Sequence, residues 1–162
     1  LMGGAYFEVG NTTPAAEFNI HVYPEAAETV FRSGVEITVL PLDVTHKALI
    51  TEDRLNAIAA IDTPVARAVA GWLDFYERFD LEKYGGAGGP LHDPCVIARL
   101  LEPELFAGRR VNVEIETRSE LTRGMTVADW WRVTDRAPNA LFLGDVDADG
   151  FFRLLTDRLA RL

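Results

Sequence analysis

The sequence predicts an α/β fold, a partly parallel sheet flanked by helices, on three observations. Short β-branched runs alternate with amphipathic stretches along the chain, and Gly, Pro or Asn marks nearly every junction between them. The stretch 110–117 sets Val111, Val113 and Ile115 against Asn112, Glu114 and Glu116, the alternation of a half-buried strand.

Taken in order, Leu1-Met2-Gly3-Gly4-Ala5-Tyr6-Phe7 reads as the tail of a buried strand running into a glycine turn. Residues 8–19 are polar and turn-rich and read as a loop, with Ala15 and Ala16 opening a short helical turn. Pro24 starts a helix through Arg32, and Gly34 closes it as the residue just past the cap. Tyr23 stands at its N-cap, where Asp or Ser would satisfy the first N–H groups better. A strand over 35–40 and a loop over 41–46 follow. Thr51 caps a helix over 52–59, and Thr63-Pro64 opens one to Phe79, with Val65, Val69, Trp72, Phe75 and Tyr76 on a shared face. Residues 84–90, with four glycines, read as a connector or a flap. Pro94 begins a helix to Leu101; 110–117 and 122–129 form a hairpin; 140–143 is a strand, and 147–162 a closing amphipathic helix.

At 162 residues the chain fits one domain with a sizeable core. A net charge of −9 repels phosphate backbones and anionic lipid, so neither a nucleic-acid polymer nor a membrane is an expected partner. The lack of a basic cluster flanking Trp130-Trp131 agrees, because a base-stacking platform pairs aromatics with cations. A single cysteine, Cys95, rules out an intrachain disulfide and suits a cytoplasmic protein.

Chemistry-bearing residues gather in two short segments. Asn11, Glu17 and Asn19 offer two amides and a carboxylate to a polyhydroxylated ligand, Glu17 and Asn19 pointing to one side of an extended segment and Asn11 folding back across Pro14. The plainer alternative makes Asn11 an Asx turn, Glu17 solvated and Asn19 a loop cap. Phe18, between them, reads as core, as does Met2. In the second segment Asp93 is a candidate oxygen ligand for Ca²⁺ or Mg²⁺ and His92 a candidate proton donor. The alternative makes Asp93 the cap of the helix at Pro94 and His92 a surface loop residue. His21 and His46 read as structural.

These strings, MGGA at 2–5, TPAAEFNI at 13–20, PEAA at 24–27, LDVTH at 42–46, PLHDP at 90–94 and DVDAD at 145–149, resemble the nucleoside hydrolases of the inosine–uridine-preferring type. The resemblance spans nearly the whole chain, and it implies that residues 1–162 are the C-terminal portion of a single nucleoside hydrolase domain whose N-terminal, metal-binding strands are absent. It implies that Asn11, Glu17 and Asn19 bind ribose hydroxyls, with Met2 and Phe18 against the sugar. It implies that Asp93 contacts both Ca²⁺ and ribose, that His92 protonates the leaving base, and that Tyr84 and the following glycines close over substrate. The implied reaction is hydrolysis of a purine or pyrimidine ribonucleoside to ribose and free base by a Ca²⁺-bound water, in a protein that is a homo-oligomer. The family's D-x-D-P-G-x-D-D type string, which supplies most Ca²⁺ ligands and the base, does not occur in the chain. The chain alone is therefore expected to carry the ribose clamp and the acid, with an incomplete Ca²⁺ site. A non-catalytic sugar-binding or structural remnant is the alternative.

Overall fold

The computed structural model describes residues 1–84 and 88–162, with side chains described outside 77–87. The backbone divides into two compact units, one of residues 1–44 and 106–145, the other of residues 45–105 and 146–162.

The first unit is built on a sheet in the order β1 (Ile37–Val39), β7 (Ala140–Val146), β4 (Phe106–Val111). Strand β1 pairs with β7 in parallel, Ile37 opposite Ala140 and Val39 opposite Phe142. A parallel bridge between Met2 and Leu40 extends the same alignment toward the start of the chain. The expected strand tail into a glycine turn is therefore present: Leu40 N–H donates to the Leu1 carbonyl at 3.0 Å and Gly3 N–H to the Leu40 carbonyl at 3.1 Å. The predicted hairpin forms as β5 (Val113–Ile115) against β6 (Thr126–Ala128), antiparallel, with Val113 opposite Ala128.

The stretch read as one strand over 110–117 is divided at Asn112, which lies between β4 and β5. The alternation survives, with Val111, Val113 and Ile115 all buried. Asn139 clips this junction: its side chain accepts from Val113 N–H at 2.8 Å and donates to the carbonyls of Val113 and Phe31. Helix α2 (Pro24–Arg32) runs over the expected residues, has no side-chain cap at Tyr23, and is followed by Gly34 at φ +81°. Its buried face joins Ile20, Phe31, Val39, Val111, Ile115 and Phe142 in one apolar core.

The second unit is mainly helical. Helix α4 (Glu52–Ala59) is capped as expected by Thr51, whose hydroxyl accepts from Arg54 N–H at 3.4 Å. It packs on α5 (Pro64–Tyr84) and on α7 (Ala148–Leu159). Helix α5 continues five residues past the expected end at Phe79, and its apolar stripe does not form the core: Val65, Trp72, Phe75 and Tyr76 are exposed. The helix instead buries Ala66 and Ala70. Small side chains let two helix backbones approach closely, which a Trp or Tyr on the same face would prevent. Strand β2 (Leu49–Ile50) pairs with β3 (Gly89–Pro90) in antiparallel fashion, and α6 (Pro94–Leu101) follows. Asp147 caps α7 by accepting from Gly150 N–H at 3.0 Å. Residues 85–87, read as part of a connector or flap, lie outside the described residues. No helix among the described residues is long and apolar enough to cross a membrane.

Candidate functional site

Five of the seven candidate residues fall in the first unit, and the turn that carries them differs from the extended segment expected. Residues 18–21 form a single helical turn, α1 (Phe18–His21), and Glu17 sits at its N-cap with extended backbone. The Glu17 carboxylate therefore turns back on its own segment and accepts from Asn19 N–H at 2.9 Å. Its other oxygen accepts from Gly4 N–H at 3.0 Å. Glu17 is only 2% exposed, so the plain reading of a solvated carboxylate does not hold. A carboxylate has about four acceptor positions, and two backbone donors leave capacity for a ligand hydroxyl.

The neighbouring candidates are tied to the same turn. Asn11 folds back across Pro14 as anticipated, its Oδ1 accepting from Phe18 N–H at 2.8 Å. Asn19 Nδ2 donates toward Met2 Sδ at 3.2 Å and the Met2 carbonyl at 3.4 Å. Met2 is half-buried rather than core, and Phe18 is 56% exposed, because the helical turn swings its ring away from Ile20 and the apolar core. Met2, Asn11, Glu17 and Asn19 thus lie in one connected patch, with Phe18 exposed on the same turn.

Gly4 lets Glu17 reach the turn. It holds φ +82°, and a Cβ there would lie 2.6 Å from Thr126 Oγ1. Gly4→Ala is expected to lower stability by about 1–3 kcal/mol from strain and overpacking, read as a lower urea midpoint with unchanged slope.

Asp43 was not anticipated. Residues 41–46, expected as loop, contain the helical turn α3 (Leu42–Thr45), which buries Asp43 to 6% exposure. Its carboxylate accepts three consecutive backbone N–H groups, from Tyr6 at 2.9 Å, Phe7 at 2.7 Å and Glu8 at 3.1 Å. The signal was an acidic residue inside an otherwise apolar string, Leu42-Asp43-Val44, since a buried carboxylate needs donors.

In the second unit, His92 and Asp93 sit between β3 and α6. Asp93 occupies the N-cap position of α6 but makes no side-chain cap bond, and its backbone is helical (φ −65°, ψ −37°). The plain reading of Asp93 as a helix cap therefore fails, and its side chain is exposed. His92 is half-buried, with Nδ1 2.8 Å from Thr45 Oγ1. His46 lies beside it, the ring centroids 6.0 Å apart. Cys95 is buried, and burial, with the Asp93 charge adding to it, pushes its thiol up to about 12. Native Cys95 is accordingly expected to resist iodoacetamide at pH 8 and to react at once in denaturant. The preference for the protonated thiol is fully present below the ordinary thiol value of 9.0 and is lost as pH rises toward 12.

Calcium takes about six to eight oxygen ligands. Among the described residues no group of three or more His, Cys, Asp or Glu is gathered that could hold a metal ion. Asp93 by itself does not fit a Ca²⁺ site.

The family model for inosine-uridine preferring nucleoside hydrolases matches residues 1–153. The chain belongs to the nucleoside hydrolase family. It is 49% identical over its whole length to an uncharacterized protein of Schizosaccharomyces pombe, covering 52% of that protein. It is 52% identical, over 98% of this chain and 51% of the relative, to the pyrimidine-specific ribonucleoside hydrolase RihA of Shigella boydii. A purine-preferring ribonucleoside hydrolase from Gardnerella vaginalis superposes with a TM-score of 0.88 at 30% identity, over 99% of this chain and 51% of that one. This nucleoside hydrolase chain thus spans about half the length of the curated relatives it matches. The partly parallel α/β architecture read from its sequence is that of its structural neighbours.

Proposed function

We propose that this chain supplies the ribose clamp and the acid of a ribonucleoside hydrolase. The observation that carries the reading is the Glu17 carboxylate, buried on two backbone N–H donors with Asn11, Asn19 and Met2 held beside it. A carboxylate and an amide fixed on backbone donors, with a second amide held by Met2, are suited to vicinal hydroxyls, which each donate and accept. Such bonds strengthen as the sugar gains positive charge in an oxocarbenium-like transition state. In this reading His92 donates a proton to the departing base, and Asp93 is a carboxylate for ribose and Ca²⁺. The other Ca²⁺ ligands are proposed to come from residues other than those of this chain. Relatives named as pyrimidine-specific make uridine and cytidine the first substrates to try. A cytoplasmic, homo-oligomeric protein belongs to the same proposal.

The test pairs ribose titration of the 162-residue chain with ribose release from uridine, cytidine and inosine by a longer protein that contains it. Ribose binding lost in Glu17→Gln, with turnover by the longer protein only, is the expected pattern. Turnover by the 162 residues alone overturns the division of labour. Ribose binding without turnover by either protein favours a sugar-binding remnant.

A further inference from the structure

The contact between Thr45 Oγ1 and His92 Nδ1, at 2.8 Å, has a specific construction. Strands β2 and β3 are antiparallel, Leu49 opposite Pro90, so the segments just before β2 and just after β3 emerge at the same end of the ribbon. Leu91 N–H donates to the Ala48 carbonyl at 2.9 Å, and Ala48 N–H to the Thr45 carbonyl at 3.0 Å, fixing both segments. On the His92 side, Cys95 N–H donates to the His92 carbonyl at 3.2 Å and Cys95 Sγ to the Leu91 carbonyl at 3.1 Å. Thr45 is fully buried, and a β-branched side chain has little χ1 freedom to surrender.

We propose that Thr45 is a positioning residue for His92, its hydroxyl holding the imidazole at Nδ1 so that Nε2 is the nitrogen that gives up the proton. The role rests on the reading of His92 as the acid. A hydroxyl both donates and accepts, unlike a carbonyl or a carboxylate. When Nδ1 lacks a proton, Thr45 donates to it. When the imidazole is cationic, Nδ1–H donates to Thr45 Oγ1 and the Nε2 proton is the one given up, which leaves the neutral Nδ1–H ring still donating to Thr45. Because the hydroxyl pairs with Nδ1 in either role, the ring keeps one orientation before and after Nε2 gives up its proton, which a general acid needs.

The experiment measures ¹⁵N signals of the His92 ring in the full-length protein that carries this chain, as wild type, Thr45→Val and Thr45→Ser, with nucleoside hydrolysis followed on the same samples. The wild-type spectrum is expected to show a hydrogen-bonded Nδ1, needing no substitution. The valine variant should lose the hydrogen-bond shift and the serine variant restore it. Valine should lower kcat about 10- to 100-fold with KM within about twofold, serine should recover most of it, and valine should add nothing in a His92→Ala background. An Nδ1 signal identical in wild type and Thr45→Val overturns the proposal, as does an equal loss of rate with and without His92. The expected ring signals in a protein with no nucleoside turnover leave the Thr45 hold on His92 standing and sink the hydrolase reading instead.

Discussion

Glu17→Ala is expected to lower unfolding stability by about 2–4 kcal/mol and to abolish ribose binding. The wild-type carboxylate is 2% exposed and takes backbone N–H groups from two segments, Gly4 and Asn19. Removing it strands both donors in a buried place, and each buried donor left unpaired costs about 1–3 kcal/mol. It also removes the N-cap of α1, the turn on which Asn19 and Phe18 ride. Glu17→Gln separates the two effects. Its amide keeps the volume and one acceptor oxygen but turns an NH₂ toward a backbone N–H, so about 1–3 kcal/mol of the loss persists. Urea unfolding reads the stability, and ribose titration reads the clamp. A Glu17→Ala protein with wild-type stability would mean that the Gly4 and Asn19 donors find other acceptors. Full ribose affinity in Glu17→Gln would remove Glu17 from the clamp.

Where backbone and apolar pattern acted alone, the sequence was legible. Pro24 with Gly34, Thr51 before Glu52 and Asp147 before Gly150 mark helix ends through local bonding, and each marks one here. The alternation at Val111, Val113 and Ile115 named buried residues correctly even though the chain changes sheets at Asn112, since a strand's inward face persists through the change. Reading failed where a side chain bonds far along the chain. Nothing near Glu17 in sequence announces Gly4, thirteen residues earlier, as its partner, so the segment read as extended and Phe18 as core. The α5 stripe failed for a different reason: periodicity identifies an apolar face but not whether a neighbour covers it, and here the alanines are covered. Asp93 failed in the other direction, since an Asp before Pro94 fits a cap by local rules, yet its backbone is already helical.

Asp43→Ala is expected to match Glu17→Ala in stability, about 2–4 kcal/mol, while acting through a different segment. Three consecutive N–H groups, of Tyr6, Phe7 and Glu8, converge on the one carboxylate, an arrangement of backbone donors around an anion that secondary structure does not otherwise satisfy. The loop they belong to runs from Gly4, a Glu17 donor, toward Asn11, the acceptor for Phe18 N–H. Releasing 6–8 therefore loosens both ends of the clamp without touching a ribose ligand. Amide hydrogen exchange should show 6–8 losing protection first, with ribose affinity falling about 3- to 30-fold, the range set by partial disordering of a preformed site. Asp43→Asn should fall between, because one carbonyl oxygen cannot accept all three donors and its NH₂ opposes the third. Unchanged protection at 6–8 in Asp43→Ala would show that the loop is held by its apolar contacts, where Phe7 meets Trp130 edge-on at 5.6 Å. The ribose affinity would then have to be set by Glu17 and its two amide neighbours alone.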